Sequence, residues 1–272
     1  FSPKKRGRSM KSANKIKISE LCSLAATLAY RGGKIIKNTH ESRDLQIKEK
    51  AKGDPFTIAD VTVQKYIMFN LEKKWPDLRI VGEEDEQETE GIDVDIDFDK
   101  IKLDAISEEY LVKTGNDFVN EVDIEDLTVW IDPIDGTKEF TKGLLTNCTT
   151  LIGITKNNAP HVGIIHWPYS INDSTYSPRT VVGGPELGVV EFDGETGQPE
   201  EVKLQPREKE PQDDTLHVIT TLHYNQERVD KLYTMNKLSI TEGGGTGHKI
   251  LRVALDMDDL YIFPSRGTKK WD

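Results

Sequence analysis

Apolar residues between positions 18 and 38 recur at every third or fourth position, which predicts an amphipathic helix. The residues on this apolar face are Leu21, Leu24, Ala25, Leu28 and Ile35. The glycine pair at 32–33 is a weak point within the helix. A second helix is predicted from Thr57, where the hydroxyl and the acid at Asp60 resemble a capping box, to Pro76, which cannot continue a helix.

Six shorter apolar segments predict strands. These segments are residues 78–82, 127–131, 149–155, 161–166, 216–221 and 260–263. The third and fourth resemble a hairpin with a loop at Asn157–Asn158, and further helices are predicted over residues 226–236 and 249–255. Strands and helices alternate without an internal repeat, so the sequence predicts a mixed α/β (α+β) fold with layered packing.

Acidic residues are concentrated in one part of the chain. Residues 83–126 hold 18 acids and three lysines, and aspartates alternate with apolar residues from position 93 to 99. The alternation fits an edge strand, whereas the charge density favours a surface insertion near 86–126. This segment has a net charge of −15, so the rest of the chain is at +4 although the whole chain is at −11. The charge therefore argues against general nucleic-acid binding but not against a small polyanionic substrate.

The two ends of the chain differ from its middle. Residues 1–17 hold seven lysines and arginines and no acid, which predicts a disordered basic tail, with a nuclear-import patch at 3–8 as the alternative. We expect an N-terminal α+β lobe over residues 18–193 and a C-terminal α/β lobe over residues 194–272, because residues 194–214 are polar and contain prolines. No apolar run approaches the ~20 residues of a membrane span.

The two cysteines, Cys22 and Cys148, stand in no CxxC motif and have no paired spacing. We therefore expect two buried thiols in a reducing compartment and neither a disulfide framework nor a zinc site. A cytoplasmic location follows as the expectation, with the nucleus as the alternative if the basic tail directs import.

Four carboxylates stand at the ends of predicted strands, namely Glu83, Glu84, Asp132 and Asp135. Burying them unpaired is costly, and Mg²⁺ removes that cost because it is a hard cation that binds carboxylates, carbonyls and water. In residues 132–135 a proline fixes one φ angle, so a tight turn can aim both carboxylates and the Ile134 carbonyl at one centre. The alternative is ordinary turn chemistry at 132–136 and a solvated loop at 83–85.

Five ordered motifs carry a resemblance to a known family. They are GDPFTIAD (53–60), VGEED (81–85), WIDPIDGTKEF (130–140), GGGTGHK (243–249) and KKWD (269–272). Together they resemble the signatures of the inositol monophosphatase superfamily of Mg²⁺-dependent, lithium-sensitive phosphatases. The resemblance implies a layered αβαβα sandwich whose C-terminal part is incomplete at Asp272, where relatives are expected to continue.

The resemblance also implies roles for individual residues. Two to three Mg²⁺ ions are expected in one acidic cluster, with Li⁺ as an inhibitor. The implied metal ligands are Glu83, Glu84, Asp132, the carbonyl of Ile134, Asp135 and Asp272. Asp60 and Thr137 would form a hydrogen-bonded pair that orients and deprotonates the attacking water.

Within the superfamily, residues 137–154 and 260–272 look most like the 3′(2′),5′-bisphosphate nucleotidases, which remove the 3′-phosphate of adenosine 3′,5′-bisphosphate and leave AMP. The implied substrate contacts are Gly136, Thr137, His223, Asn225, Gly245 and Lys249. His223 and Asn225 are alternatives, since residues 220–225 depart from the family pattern and the alignment can slip there.

Other activities and partners stay open at this point. An inositol polyphosphate 1-phosphatase, or an enzyme with both activities, is the nearest alternative, and a non-catalytic relative that binds metal or nucleotide is a further one. We expect a small bisphosphorylated substrate as the partner, with no nucleic-acid polymer, no membrane and a monomeric chain.

Overall fold

The computed structural model describes residues 14–85, 121–172, 175–185, 187–193, 199–200, 214–221 and 226–263. Its helices are α1 (Ile18–Ser42), α2 (Ile58–Lys74), α3 (Thr137–Thr141), α4 (Gln226–Tyr233) and α5 (Thr246–Ala254). Its strands are β1 (Lys15–Lys17), β2 (Lys48–Ala51), β3 (Asp54–Phe56), β4 (Arg79–Gly82), β5 (Glu121–Asp123), β6 (Leu127–Asp135), β7 (Thr149–Lys156), β8 (Ala159–Trp167), β9 (Ile171–Asn172), β10 (Thr175–Tyr176), β11 (Arg179–Gly184), β12 (Gly188–Asp193), β13 (Pro199–Glu200), β14 (Leu216–Thr221), β15 (Leu238–Gly243) and β16 (Leu260–Tyr261).

Helices α1 and α2 are the two that the apolar periodicity predicts. Thr57 and Asp60 form the expected capping box at the start of α2. The glycine pair in α1 is not a weak point, because both glycines are buried and the helix continues through them. A Cβ atom at Gly33 would overlap the imidazole of His166, and one at Gly32 would lie 2.9 Å from Val63. The glycines therefore allow α1 to approach β8 and α2 closely.

The larger sheet has seven strands in the order β13-β12-β11-β8-β7-β6-β4. All neighbours are antiparallel except β4 and β6, which run parallel. Strands β7 and β8 form the predicted hairpin, whose turn residues Asn157 and Asn158 have φ angles of 52° and 62°. Two consecutive positive φ angles are typical of the turn that joins two-residue hairpins.

The two faces of this sheet are covered by different helices. Ile152, Ile154 and Ile164 belong to the main core, and α1 packs against β7, β8 and β11 while α2 packs against β6. The alternate residues Ile165 and Trp167 belong to a second core cluster that also contains Val181, Leu251 and Leu255. Because successive strand residues point to opposite faces, α5 covers the face opposite α1.

A smaller sheet of three parallel strands, in the order β15-β14-β16, completes the layering. Helix α5 contacts β16 as well as β7 and β8, and α4 contacts β15. The predicted mixed α/β fold with layered sheets and helices is confirmed. Among the described residues no helix is both long and apolar enough to cross a membrane.

Strand β1 corrects two predictions at once. It pairs antiparallel with β5, and both Ile16 and Val122 are buried. The predicted basic tail 1–17 is therefore too long at its end, and the predicted insertion near 86–126 is too long by Glu121–Asp123 and the 3₁₀ turn Ile124–Asp126. The register places residues of opposite charge across from each other, Lys15 from Asp123 and Lys17 from Glu121, which favours this pairing of two segments of extreme composition. Residues 1–13 and 86–120 lie outside the described residues.

Other boundaries differ by a few residues. Strand β6 continues to Asp135 instead of ending at 131, with a register shift between Asp132 and Asp135 around a proline that has no N–H to donate. Strand β13 pairs with β12, so the larger sheet extends past the lobe boundary expected at 193/194. The division into two lobes itself stays a prediction. Both cysteines are free, buried thiols, as expected.

Candidate active site

The carboxylates after β4 and those near the end of β6 lie at one edge of the larger sheet. Strands β4 and β6 are parallel neighbours, with Gly82 opposite Ile131. The N–H of Glu83 continues this pairing and donates to the carbonyl of Ile131 at 2.9 Å. Carboxyl ends of parallel neighbours meet at the same edge, and Glu83, Glu84 and Asp132 are brought together here.

Gln64 of α2 holds the backbone of Glu84. Its side-chain amide donates to the Glu84 carbonyl at 2.7 Å and accepts from the Glu84 N–H at 2.9 Å. A Cβ atom at Gly82 would overlap this amide, so the glycine allows the close approach. Gln64 was not among the site residues expected from the sequence, although a signal existed: it stands four residues after Asp60 and therefore on the same face of α2.

Lys50 of β2 is the second residue that the sequence analysis missed. Its ammonium lies 2.6 Å from Oε1 of Glu84 and 3.3 Å from Oε1 of Glu83. Burial lowers the pKa of Lys50, but the charges of Glu83, Glu84 and Asp60 outweigh it, so the pKa of Lys50 is raised. The sequence offers three alternating lysines at 48, 50 and 52, and their pattern does not distinguish which of them faces the carboxylates.

The acidic cluster is short of positive charge in spite of Lys50. Burial, and then the charge of Asp60, raise the pKa of Glu84 to about 7. Oε2 of Glu84 is buried and accepts no hydrogen bond from the described residues. No three acidic, histidine or cysteine side chains of the described residues form a ready-made metal site. The donor set of buried carboxylates and a carbonyl nevertheless fits a hard divalent cation such as Mg²⁺.

Asp60 and Thr137 form the pair that the resemblance implies. Oδ1 of Asp60 lies 3.0 Å from the hydroxyl of Thr137, and Oδ2 accepts from the N–H and the hydroxyl of Thr57 at 2.7 and 2.6 Å. The Thr137 hydroxyl also lies 2.8 Å from the carbonyl of Ile134. Burial raises the pKa of Asp60 to about 6, against the opposing effect of hydrogen bonds from Thr57 and Thr137.

Asp132 and Asp135 are both buried on β6. Oδ2 of Asp135 accepts two hydrogen bonds from neutral groups, one from the N–H of Gly247 at 2.6 Å and one from the hydroxyl of Thr149 at 3.2 Å. Gly247 lies in the first turn of α5, whose positive dipole end favours a carboxylate. Helix α5 thus contacts the carboxylate of Asp135 through a backbone N–H.

Two of the expected substrate residues lie in glycine turns. Gly136 precedes α3 with a φ angle of 91°, and Gly245 precedes α5 with a φ angle of 60°, both in the region that favours glycine. Lys249 is only 3% exposed. Its ammonium donates to the carbonyl of Gly245 at 2.5 Å and lies over the ring of Tyr261. In this arrangement the Lys249 ammonium bonds to the backbone of the glycine turn.

The structure thus brings together most of the site residues expected from the sequence. The contacts above join Thr137 to Asp60 and Ile134 and bring Glu83 and Glu84 to Lys50, while Asp132 and Asp135 lie on β6, the strand beside β4. That all of them surround one centre stays a prediction. Gly245 and Lys249 lie at the adjoining glycine turn. His223, Asn225 and Asp272 lie outside the described residues, so the choice between His223 and Asn225 stays a prediction.

Comparisons with known proteins show the family and the fold of the chain. The sequence profile of the inositol monophosphatase family matches residues 17–272. The chain is 35% identical over 261 residues to the rat protein named 3′(2′),5′-bisphosphate nucleotidase 1, a match that covers 94% of this chain and 78% of that protein.

Solved structures share the fold at low sequence identity. The extragenic suppressor protein SuhB of Bartonella henselae matches with a TM-score of 0.62 at 18% identity, covering 93% of this chain and 81% of that one. An IMPase/NADP phosphatase complexed with Mg²⁺ and phosphate matches with a TM-score of 0.59 at 14% identity, covering 91% of this chain and 76% of that one.

Proposed function

Since this chain belongs to the inositol monophosphatase family, we propose that it is a Mg²⁺-dependent phosphatase that hydrolyses the 3′-phosphate of adenosine 3′,5′-bisphosphate. The products are AMP and inorganic phosphate. The observation that carries the proposal is the hydrogen-bonded pair of the buried Asp60 and the half-buried Thr137 beside the acidic cluster. A protein that only binds metal or nucleotide has no need of a group that activates water.

Asp60 and Thr137 act together on the attacking water. The Thr137 hydroxyl has one proton and two acceptors within reach, Oδ1 of Asp60 at 3.0 Å and the carbonyl of Ile134 at 2.8 Å. When this proton points to Asp60, the hydroxyl oxygen can accept a proton from a water molecule and relay its own to the carboxylate. A carboxyl with a pKa near 6 is a stronger base than an ordinary one and is still largely ionised at neutral pH.

The acidic cluster is the proposed Mg²⁺ site, with two to three ions. The ligands would be Glu83, Glu84, Asp132, the carbonyl of Ile134, Asp135 and Asp272. Bound Mg²⁺ lowers the pKa of water and neutralises charge on a phosphate. The buried Oε2 of Glu84, which accepts no hydrogen bond from the described residues, supports a cation there. Li⁺ is the proposed inhibitor, as the family resemblance implies.

Substrate contacts are proposed on both sides of the cluster. Gly136 and Thr137 at the start of α3 are the candidates for the reacting phosphate, and Gly245 and Lys249 for the nucleotide. For Lys249 a direct contact requires its ammonium to exchange the carbonyl of Gly245 for the ligand. His223 or Asn225 would complete the nucleotide site.

A parallel phosphate-release assay tests the proposal. Purified chain with Mg²⁺ is given adenosine 3′,5′-bisphosphate or inositol 1,4-bisphosphate, and each reaction is repeated with a chelator and with Li⁺. We expect release from the nucleotide that is lost with the chelator and inhibited by sub-millimolar Li⁺. Release from the inositol bisphosphate alone would establish an inositol polyphosphate 1-phosphatase instead. No release from either, with Mg²⁺ still bound, would favour the non-catalytic alternative.

Location and assembly stay predictions. We propose a cytoplasmic, monomeric enzyme. Fluorescence microscopy of a tagged chain and its molar mass in solution test the two statements, and nuclear accumulation would support the role suggested for the basic residues 3–8.

A further inference from the structure

The glycine run at 243–247 packs against the segment that leads into β7. A Cβ atom at Gly244 would overlap the carboxyl of Glu139, and one at Gly245 would overlap the backbone carbonyl of Asn147. A Cβ atom at Gly247 would lie 2.5 Å from the hydroxyl of Thr149 and closer still to Leu151. Each of the three glycines thus meets different neighbours, so the run is required for close approach and not only for a flexible turn.

Hydrogen bonds join the same two segments. The N–H of Gly244 donates to the side-chain oxygen of Asn147 at 2.8 Å. The N–H of Gly247 and the hydroxyl of Thr149 both donate to Oδ2 of Asp135, at 2.6 and 3.2 Å. Thr149 is fully buried, so no water competes for its hydroxyl. Asn147, Thr149, Asp135 and the glycine run form one hydrogen-bonded unit.

The segment at 146–149 is also fixed from its other side. The indole of Trp167 donates to the carbonyl of Thr146 at 2.8 Å, and Trp167 belongs to the core cluster that holds Leu251 of α5. The unit is therefore anchored to both the larger sheet and α5. A carboxylate is otherwise free to rotate about its last torsion, which is broad and roughly two-fold. Two donors on one oxygen remove that freedom.

We propose that Asn147 and Thr149 are positioning residues, which hold the carboxylate of Asp135 and the glycine run in one fixed arrangement at the cation site. The inference rests on the proposed function, in which Asp135 is a Mg²⁺ ligand. Their side chains contact Gly244 and Asp135, and the proposal gives neither residue a substrate contact. They act through Asp135, as outer hydrogen-bond partners of metal ligands do when they orient those ligands and raise metal affinity.

Calorimetric titration of the full chain with Mg²⁺ tests the role of Thr149. Thr149→Val removes the donor and keeps the shape, whereas Thr149→Ser keeps the donor. We expect Thr149→Val to weaken Mg²⁺ binding about tenfold and Thr149→Ser to bind like the wild type. Thr27→Val is the matched control, because Thr27 is equally buried and donates to the Ser23 carbonyl within α1. Wild-type affinity in Thr149→Val, or an equal loss in Thr27→Val, overturns the inference.

Asn147 gives an independent arm if Thr149→Val does not fold. Asn147→Ala should speed hydrogen exchange of the peptide that covers residues 243–251 and weaken Mg²⁺ binding about threefold, less than Thr149→Val because Asn147 acts through the glycine run. Unchanged exchange and unchanged affinity would count against the unit.

The two proposals fail separately. Mg²⁺ binding is measured without substrate. If Thr149→Val binds Mg²⁺ more weakly but the wild type releases no phosphate from adenosine 3′,5′-bisphosphate, the proposed function is wrong and this inference stands. If Thr149→Val binds Mg²⁺ with wild-type affinity and still releases phosphate, this inference is wrong and the proposed function stands. A wild-type chain that binds no Mg²⁺ overturns the inference.

Discussion

The two halves of the acidic cluster are stabilised by different kinds of contact. In the lysine-paired half, Glu83 and Glu84 after β4 face the ammonium of Lys50. In the dipole-held half, Asp132 and Asp135 lie on β6, and Asp135 is held by a backbone N–H and a hydroxyl. Glu84, Asp132 and Asp135 are buried, and the contacts of Glu84 and Asp135 differ in kind: an ammonium at Glu84, and a backbone N–H and a hydroxyl at Asp135.

The two halves differ in whether their partner can be displaced by a metal ion. Lys50 ends in a flexible stem, so its ammonium can leave when a divalent cation binds the same oxygens. A backbone N–H of α5 cannot leave without moving the helix. The lysine-paired half is therefore suited to exchange positive charge with a metal, and the dipole-held half is suited to keep its geometry while that exchange occurs.

The largest effect is expected at Asp60, next to the lysine-paired half. Its charge raises the pKa of Glu84 on one side, and it accepts from Thr137 on the other. Asp60→Asn should lower kcat by a factor of roughly 10²–10⁴, the usual contribution of a general base, while Mg²⁺ still binds. Steady-state kinetics measure the loss. Thr62→Val, on the same helix, is the control for folding, and full turnover in Asp60→Asn would contradict the assigned role.

The second effect tests the lysine-paired half. Lys50→Met leaves buried carboxylates without their cation, and breaking such a pair typically costs about 3 kcal/mol or more in the free energy of unfolding. The loss should appear without Mg²⁺ and shrink when Mg²⁺ is added, as followed by urea unfolding at both conditions. Lys74→Met is the matched control, because the Lys74–Glu20 pair is exposed and should contribute about 1 kcal/mol or less. Equal losses in the two variants would remove the comparison.

The third effect tests the dipole-held half. Gly245→Ala places a methyl group at a φ angle of 60° against the carbonyl of Asn147 and should cost about 2–3 kcal/mol of stability. Gly143→Ala shares the left-handed backbone, with a φ angle of 74°, but meets nothing within 4 Å. It should cost about 1 kcal/mol. Urea unfolding of both variants separates backbone strain from close approach, and similar costs would show that packing at Gly245 is not tight.

The smallest effect concerns a buried group outside both halves. His166 lies under α1, and Nδ1 of its ring is 2.8 Å from the hydroxyl of Thr180, so a neutral dipole satisfies it as at Asp135. Burial, and then the charge of Lys37, lower the pKa of His166 to about 3. The folded chain keeps His166 neutral, so its contribution to stability is complete above the unfolded pKa of ~6.5 and is lost as the pH falls towards the folded pKa.

Relative to His166→Gln, the wild type should therefore lose about 1 kcal/mol of stability between pH ~6.5 and ~5.5. Unfolding curves of the two chains at matched pH measure this difference, in which the titration of other groups cancels. A difference that does not change with pH would mean that His166 becomes protonated without cost in the folded chain.

Local patterns predicted the two long helices and the strands β4, β6, β7, β8, β14 and β16, because helix and strand periods can be read within short windows. The missed strands include β11, β12 and β15, which no predicted segment covers. They also include β1 with β5, where each strand has three residues and its partner lies far away in the chain. Composition suggested a tail and an insertion there. Only the pairing of Ile16 with Val122 across that distance makes both segments ordered, and no short window contains both residues.

The chemistry of the site was predictable at the strand ends and less so around them. Glu84 and Asp135 follow or end apolar strands and stand in recognisable motifs. Lys50 and Thr149 owe their positions to contacts with segments distant in sequence, so nothing in their immediate neighbourhood marks them. The glycine run was expected as a phosphate-binding turn, whereas its close packing depends on neighbours that only the fold brings near.

The two buried thiols are internal probes of local and global unfolding. Burial raises the pKa of Cys22 in the main core, and burial, then the charge of Glu139, raise that of Cys148 beside the glycine run. Neither sulfur can attack a labelling reagent until its surroundings separate. Modification of Cys148 before Cys22 would indicate local unfolding of the active-site segments, and modification of both at the same rate would indicate global unfolding. Mass spectrometry of timed samples can read both events in an unaltered molecule.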